Sequence, residues 1–218
     1  MYLVDKEKLN RSFSSKIVEA RVAQIFNSFD RILVTSSFGT TSAVLLHIIN
    51  RVRPNHPIYF IDTRYHFKQT ISYKVQLTRL YSLNVIDLLP DKKAHQQTRD
   101  NRMWSNEPDR CCEINKVKPL SKIKSDFDIW VSGLIGYQNR YRSKLKIIDI
   151  DSGMLKCYPL IDWSRDLVNE YMEFHGIPRH PLEKEGYQSI GCTHCTRCGE
   201  NRSGRWSDIS KSECGLHG

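Results

Sequence analysis

Seven cysteines stand out in this chain of 218 residues, and their spacing suits metal binding better than a secreted disulfide framework. Cys111 and Cys112 are adjacent, and Cys192 and Cys195 are separated by two residues. Four thiolates in two such pairs can hold a tetrahedral zinc ion or an iron–sulfur cluster. Cys198 continues the spacing in the manner of ferredoxins, so it is an alternative ligand.

A further cysteine, Cys214, lies near the C-terminal end of the sequence, in the motif ECGLHG. A terminal tail is free to move, and movement suits a nucleophile that reacts with two partners in turn. Arg202, Arg205 and His217 are close in the sequence, and such cations favour a thiolate when the tail folds over them. Cys214 is therefore predicted to be a nucleophile. Cys157, in an apolar strand, is predicted to be an inert core residue.

A loop of small residues connects the first predicted strand to the helix that follows it. Free backbone amides and the positive end of the helix dipole suit a phosphate or sulfate group there, although a plain strand–helix connection has the same pattern. The loop lacks the Gly-Lys-Ser/Thr ending of a Walker loop, so a magnesium-dependent NTPase is not supported. Asp62 and Thr63 follow the next strand and are expected at the same edge of the sheet. The candidate loop residues are Ser36, Ser37, Gly39, Thr40, Thr41 and Ser42.

The elements that must position these residues alternate between strands and helices. Strands are predicted at 31–35, 57–61, 84–89 and 127–132, with a hairpin of 145–150 and 154–158 at one edge. Helices are predicted at 6–29, after residue 41, at 67–82, and from Asp162 or Ser164 to His175. This order indicates an α/β fold in which helices cover both faces of a parallel twisted sheet.

The net charge of +9, from 33 Lys and Arg against 24 Asp and Glu, indicates an anionic ligand or partner. The cations are scattered without a dense run, which disfavours the alternative of a zinc- or cluster-bound nucleic-acid module. No apolar run approaches the roughly 18 residues that cross a bilayer. The first residues lack a secretory signal, so a cytoplasmic location is expected. We expect neither nucleic acid nor a membrane as partner, and a homo-oligomer stays open.

Seven motifs follow one another along the chain: SSFGTTSAVLLH, YFIDTRYHF, DRCCEINKVKPL, SGL, SIGCTHCT, SGRW and ECGLHG. With them the chain resembles the assimilatory adenylylsulfate and phosphoadenylylsulfate reductase family, over nearly its whole length from about Ser36. The resemblance implies a PP-loop-like fold of the adenine nucleotide alpha-hydrolase type and release of sulfite from an activated sulfate. The predicted organisation is one domain, with a sulfonucleotide-binding part at 1–190 and a mobile C-terminal tail at 191–218 that carries cluster ligands and the catalytic residue.

The two cysteine pairs resemble the cluster-bearing branch of this family, which implies a preference for adenylylsulfate. Phosphoadenylylsulfate, or both nucleotides, is the alternative substrate. The implied nucleophile is Cys214, which would form an S-sulfocysteine that thioredoxin or glutaredoxin cleaves to sulfite, in sulfate assimilation and cysteine biosynthesis. The implied cofactor is a 4Fe-4S cluster bound by Cys111, Cys112, Cys192 and Cys195.

The resemblance also implies substrate contacts. Lys116 matches a basic residue between cluster and substrate. Arg202 and Arg205 match arginines that face the sulfate and phosphate, and His217 matches a histidine on the substrate side.

One segment departs from the family pattern. Where the family commonly has Gly-Leu-Arg-Arg, this chain has Ile135 and Gly136 in place of the two arginines. Gln138 and Arg142 stay as candidate substrate contacts in this segment. A third interpretation, an ATP-dependent sulfur-transfer enzyme of the PP-loop group, is disfavoured because the loop SSFGTTS departs from that group's Ser-Gly-Gly-x-Asp-Ser.

Overall fold

Six strands form the central sheet of the computed structural model, which describes residues 5–151, 153–207, 211 and 213–216. The strands are β1 (Ile32–Ser36), β2 (Ile58–Ile61), β3 (Val85–Leu88), β4 (Ile129–Ser132), β5 (Ile148–Asp151) and β6 (Met154–Cys157). Their order across the sheet is β3-β2-β1-β4-β6-β5. The pair of β5 and β6 is antiparallel, and the four other neighbouring pairs are parallel. The predicted parallel sheet with a hairpin at one edge is therefore confirmed.

Helices connect the strands on both sides of this sheet. The α-helices of the described residues are α1 (Lys6–Ser14), α2 (Val18–Ser28), α3 (Ser42–Val52), α4 (Lys68–Leu80), α5 (Lys92–Asp100), α6 (Met103–Asn106), α7 (Pro108–Cys112), α8 (Lys118–Lys124) and α9 (Arg165–Phe174). A π-helical turn at Glu113–Val117 joins α7 to α8. Short 3-10 turns lie at Gly136–Gln138, Arg142–Lys144, Pro181–Glu185 and Thr193–Cys195. None of these helices has the length and apolar content that a bilayer-spanning segment needs.

The prediction of one helix over 6–29 is wrong, because the chain forms α1 and α2 there instead. The hydroxyls of Ser14 and Ser15, at the end of α1, each donate a hydrogen bond to the backbone oxygen three residues earlier. Serine side chains compete for backbone groups in this way and favour helix ends. Ile17, which the apolar pattern assigns to a buried helix face, is 73% exposed.

Alternate strand residues pack into separate cores on the two faces of the sheet. On one face, Val34 and Cys157 pack with residues of α2, α3 and α9 in the main core. On the other face, Leu33 and Trp130 pack with Leu120 of α8. The predicted burial of Cys157 is confirmed, and this burial raises the pKa of its thiol.

The chain between β3 and β4 forms α5 to α8, which the sequence did not predict. In α5, with the sequence KKAHQQTRD, the buried residue is the polar Thr98, so apolar periodicity gives no signal. Pro108 occupies the start of α7, where a proline is well tolerated, and the adjacent cysteines end that helix. The π-helical turn follows directly, and such turns are frequent at functional sites.

Candidate active site

The carboxyl ends of β1, β2 and β4 open onto one large cavity, as expected for parallel strands. The loop after β1 contributes to its walls, and so does the C-terminal segment, a name that we use for residues 213–216. The predicted site residues that line it are Ser36, Ser37, Gly39, Thr40, Thr41, Ser42, Thr63, Lys116, Gln138, Arg142, Cys192, Arg202, Arg205 and Cys214. Asp62, Cys111, Cys112 and Cys195 lie outside this lining, and His217 lies outside the described residues.

The loop after β1 is held by its own side chains and by a distant segment. The backbone N–H of Gly39 donates to Ser42 Oγ at 2.9 Å. The hydroxyl of Thr40 donates to the backbone oxygen of Gln188 at 2.8 Å, and Gln138 Nε2 donates to Thr41 Oγ1 at 3.3 Å. Because these bonds order the loop, its other polar groups face the cavity in a fixed arrangement.

Asp62 and Thr63 have different roles at the end of β2. The Asp62 carboxylate accepts a hydrogen bond from the backbone N–H of Arg64 at 2.8 Å, so it stabilises the turn. Thr63 lines the cavity, and its hydroxyl lies 3.4 Å from Cys192 Sγ. The backbone N–H of Thr63 donates to His66 Nε2 at 3.3 Å, and His66 is a lining residue that the sequence did not predict. The sequence feature that could have indicated His66 is its place in the motif YFIDTRYHF.

The two cysteine pairs come together beside this cavity. Cys111, Cys112 and Cys192 are buried, and Cys195 is half-buried next to them. Burial, together with the neighbouring thiols of Cys112, Cys192 and Cys195, raises the pKa of Cys111 to about 12. Asn115 Nδ2 lies 3.6 Å from Cys111 Sγ, so the thiols have polar neighbours that suit bound sulfur.

The four cysteine thiols are the candidate donors for a bound metal group. Cys111, Cys192 and Cys195 pack with Tyr65, Met103 and Trp104, and Cys112 lies near them. Their four thiols are a soft donor set, which suits zinc or iron–sulfur. Within the described residues, no group of three or more His, Cys, Asp or Glu side chains converges on a single-ion site. The residues present fit a thiolate-bound group.

Lys116 lies near Cys112 and Cys192 of the two cysteine pairs and near Cys214. Its side chain is buried, and burial alone would lower the pKa of the Lys116 ammonium. The nearby thiols of Cys192, Cys214 and Cys112 reverse this effect and raise the pKa. Lys116 is therefore a fixed cation close to both the cysteine pairs and the cavity.

Arg142 and Arg202 both bind the carboxylate of Glu213. Arg142 Nε lies 2.9 Å from Glu213 Oε1, and Arg202 Nη2 lies 3.0 Å from Oε2. Burial, together with repulsion by Arg142 and Arg205, lowers the pKa of Arg202 to about 9. Burial would raise the pKa of the Glu213 carboxyl, but the two arginines lower it below its ordinary value. The sequence did not predict Glu213 as a site residue. The feature that could have indicated it is its position directly before Cys214.

Arg205 is the third guanidinium at the cavity. It donates to the backbone oxygen of Ile190 at 3.2 Å and lies 4.4 Å from the ring of Trp206. Its Nε is buried without a hydrogen-bond partner among the described residues, as expected for a group that binds a ligand. A Cβ atom at Gly191 would lie 2.3 Å from Arg205 Nη2, so only glycine leaves room for this side chain.

Comparison with known proteins identifies the family of the chain. Residues 31–198 match the phosphoadenosine phosphosulfate reductase domain, which is more than half of the sequence. The chain belongs to the phosphoadenosine phosphosulfate reductase family. It is 37% identical over 199 residues to the adenosine 5'-phosphosulfate reductase of Halalkalibacterium halodurans, covering 86% of this chain and 85% of that protein. It is 38% identical over 198 residues to the protein of the same name from Bacillus cereus, with 86% and 84% covered.

Solved structures show the same fold as this reductase-family chain. The crystal structure of phosphoadenylyl-sulfate reductase from Candida auris matches with a TM-score of 0.77 at 22% identity, covering 90% of this chain and 98% of that one. Yeast FAD synthetase matches with a TM-score of 0.59 at 16% identity, covering 88% and 74%. These matches confirm the predicted PP-loop-like α/β fold class.

The segment of this reductase-family chain that lacks the two arginines has a tight backbone. A Cβ atom at Gly136 would lie 2.6 Å from the backbone oxygen of Ile161, so this position has no room for a side chain. Arg142 donates to Gln138 Oε1. Arg165, from the start of α9, lies 5.2 Å from the ring of Tyr137. The segment is thus held by residues outside the motif.

Proposed function

We propose that this protein reduces adenylylsulfate to sulfite and AMP, with Cys214 as nucleophile, as a cytoplasmic step of cysteine biosynthesis. The observation that carries the proposal is that Cys214 lines one cavity with Lys116, Arg202 and Arg205. The relatives named adenosine 5'-phosphosulfate reductase, of which the chain covers 84% or more, support adenylylsulfate rather than phosphoadenylylsulfate as substrate.

In the first proposed step, the Cys214 thiolate attacks the sulfur of the bound adenylylsulfate. A bond forms between Cys214 Sγ and that sulfur, and the bond to the phosphate oxygen breaks, so that AMP leaves with the electron pair. The product on the enzyme is an S-sulfocysteine. Because AMP is a good leaving group, the step requires no strong general acid.

In the second proposed step, a thiolate of thioredoxin or glutaredoxin attacks Cys214 Sγ and releases sulfite. The resulting mixed disulfide is resolved by the second thiol of the reductant, which restores the Cys214 thiol. The dithiol becomes a disulfide and supplies the two electrons by which sulfate sulfur becomes sulfite sulfur. Residues 191–218 would act as the catalytic tail of the nucleotide-binding part at 1–190.

Fixed cations would stabilise the charge on the sulfonyl oxygens during the first step. Arg205, whose buried Nε has no partner in the described ranges, and Lys116 supply two of them. Arg202 would supply a third cation once its ion pair with Glu213 is broken. The ordered loop after β1, with Thr63 and Gln138, would bind the nucleotide.

The four clustered thiols of Cys111, Cys112, Cys192 and Cys195 would hold a 4Fe-4S cluster. Once bound, the cluster would supply a local charge and a structural clamp beside Lys116. Soft thiolate donors and hydrogen bonds to their sulfur atoms support this assignment.

An anaerobic assay with thioredoxin and each of the two nucleotides tests the proposal. We expect sulfite from adenylylsulfate, a higher kcat/KM for it than for phosphoadenylylsulfate, and a covalent sulfite adduct on Cys214 when the reductant is omitted. The variant Cys214→Ser is expected to lose both sulfite production and the adduct.

The matched control is Cys198→Ser, because Cys198 is exposed. This variant is expected to retain both readouts. Sulfite production by Cys214→Ser would refute the proposed nucleophile. A higher kcat/KM for phosphoadenylylsulfate would refute the substrate.

A further inference from the structure

The C-terminal segment packs through Leu216 on the face of the sheet that carries α8. Leu33, Trp130 and Met154 extend from three strands, and Leu120 extends from α8, all at most 7% exposed. Leu216 packs against this group, which we call the Leu216 seat. Leu216 therefore adds to the apolar cover that Leu120 of α8 gives this face.

A buried lysine adds a polar contact at the same place. Lys156 lies directly beside Trp130 in the parallel pair of β4 and β6, and its side chain is 1% exposed. Its ammonium lies 4.9 Å from the Trp130 ring and pairs with Asp151. It also donates to the backbone oxygen of Leu216 at 3.4 Å. A buried ammonium requires such acceptors, so the Leu216 carbonyl is part of what makes its burial tolerable.

Cys214 lies between two anchored residues. On its N-terminal side, Glu213 is bound by buried arginines. On its C-terminal side, Gly215 has a φ of +76°, which favours glycine and turns the chain before Leu216. The cysteine lines the cavity, whereas the neighbouring leucine packs into the core of the face that carries α8. Because one residue separates Cys214 from Leu216, an interaction that holds Leu216 in place also restricts the position of Cys214.

We infer that the Leu216 seat and Lys156 hold the C-terminal segment closed, and so position Cys214 at the cavity. Lys156 and Leu216 are positioning residues, since neither is placed at the reacting atoms. The inference rests on the proposed function only for the statement that Cys214 is the nucleophile. Release of Leu216 from the seat opens the segment and further exposes the half-buried thiol of Cys214.

The rate at which iodoacetamide alkylates Cys214 in the full-length protein tests this inference without substrate or turnover. Peptide mass analysis separates Cys214 from the other cysteines. We expect Lys156→Met to raise the rate about fivefold, because one hydrogen bond from a charged donor is lost while the packing on Trp130 is kept. Leu216→Ala is expected to raise the rate at least tenfold, since most of its apolar contact is removed. Lys156→Arg, which keeps a charged donor, is expected to restore most of the protection.

Lys124→Met is the matched control. Lys124 also lies over the Trp130 ring, at 5.6 Å, but in the described residues it has no hydrogen bond to the C-terminal segment. Its alkylation rate is expected to stay within twofold of the parent protein. Unchanged rates in Lys156→Met and Leu216→Ala would overturn the inference, and so would an equal rise in Lys124→Met. Leu216→Ala keeps the test decisive if Lys156→Met fails to fold, because Leu216 is only partly buried.

The same variants separate this inference from the proposed reaction. A protein that produces no sulfite but shows these differences in alkylation retains the seat and rejects the reaction. Sulfite production with unchanged alkylation rates would support the reaction and reject the role of the Leu216 seat.

Discussion

The carboxylate of Glu213 lies 2.9 Å from the Nε of Arg142, and both side chains are only 9% exposed. Two residues that are 71 positions apart thus form a buried ion pair at the wall of the cavity. Because Arg202 shares the same carboxylate, Glu213 neutralises two cations that would otherwise face a bound anion. We therefore expect Glu213 to compete with an anionic ligand for both guanidinium groups.

Removal of the Glu213 charge is expected to strengthen anion binding. In Glu213→Gln the amide cannot neutralise Arg142 and Arg202, so the affinity for inorganic sulfate is expected to rise about threefold to tenfold. Isothermal titration calorimetry of the full-length protein measures this change. Glu200→Gln, at an exposed position of the same C-terminal region, is the control and is expected to bind sulfate as the parent does. Equal or weaker binding by Glu213→Gln would contradict the expected competition.

The metal content of single cysteine variants distinguishes the candidate ligands. The parent protein, purified anaerobically, is expected to contain iron and acid-labile sulfide in equal amounts. Cys192→Ser is expected to lose most of both, because a buried candidate ligand of the proposed cluster is removed. Cys198→Ser is expected to retain them. Zinc without iron in the parent would contradict the cluster, and loss of iron in Cys198→Ser would make Cys198 a ligand.

A buried histidine is expected to make stability depend on pH. His180 is fully buried, accepts a hydrogen bond from the backbone N–H of Leu182, and has its Nε2 3.1 Å from Thr70 Oγ1. Burial lowers the pKa of His180 to about 4. Because the folded pKa is below the unfolded value of about 6.5, its contribution is complete above pH 6.5 and decreases as the pH falls towards 4.

Unfolding by urea at a series of pH values measures this contribution. In the parent, protonation of His180 is expected to lower the free energy of unfolding by about 3 kcal/mol between pH 6.5 and 4. His180→Gln is expected to show a smaller loss over this range. Identical pH profiles of the parent and His180→Gln would contradict the assignment.

A methyl group at Gly191 is expected to displace Arg205. The added Cβ would lie 2.3 Å from Arg205 Nη2, and the guanidinium is the flexible end of its side chain, so it moves while the fold persists. We expect kcat/KM for adenylylsulfate to fall at least tenfold, with a melting temperature within a few degrees of the parent. Gly153→Ala is the control: its φ of +76° costs about 1 kcal/mol of stability, but nothing lies within 4 Å of the added carbon. An unchanged kcat/KM in Gly191→Ala would argue against a role for Arg205.

The sequence predicted the parallel sheet because buried parallel strands are short apolar runs, and each run was bounded by a loop or a helix pattern. It did not predict α5, whose buried residue Thr98 is polar, nor the break at Ser14 and Ser15, where hydroxyl groups compete for the backbone. Local patterns report apolar periodicity, and these elements depend on polar contacts instead.

By itself, the sequence determined which residues have the chemistry of the candidate site, namely two cysteine pairs, a C-terminal cysteine and a loop of small residues. Only the tertiary structure decided that Glu213 binds Arg142 and that Lys156 reaches the carbonyl of Leu216. It also placed Asp62 outside the cavity lining, at a turn of its own. These contacts join residues far apart in the chain or depend on the direction of one side chain. Packing of the whole fold sets both, and no local pattern carries that information.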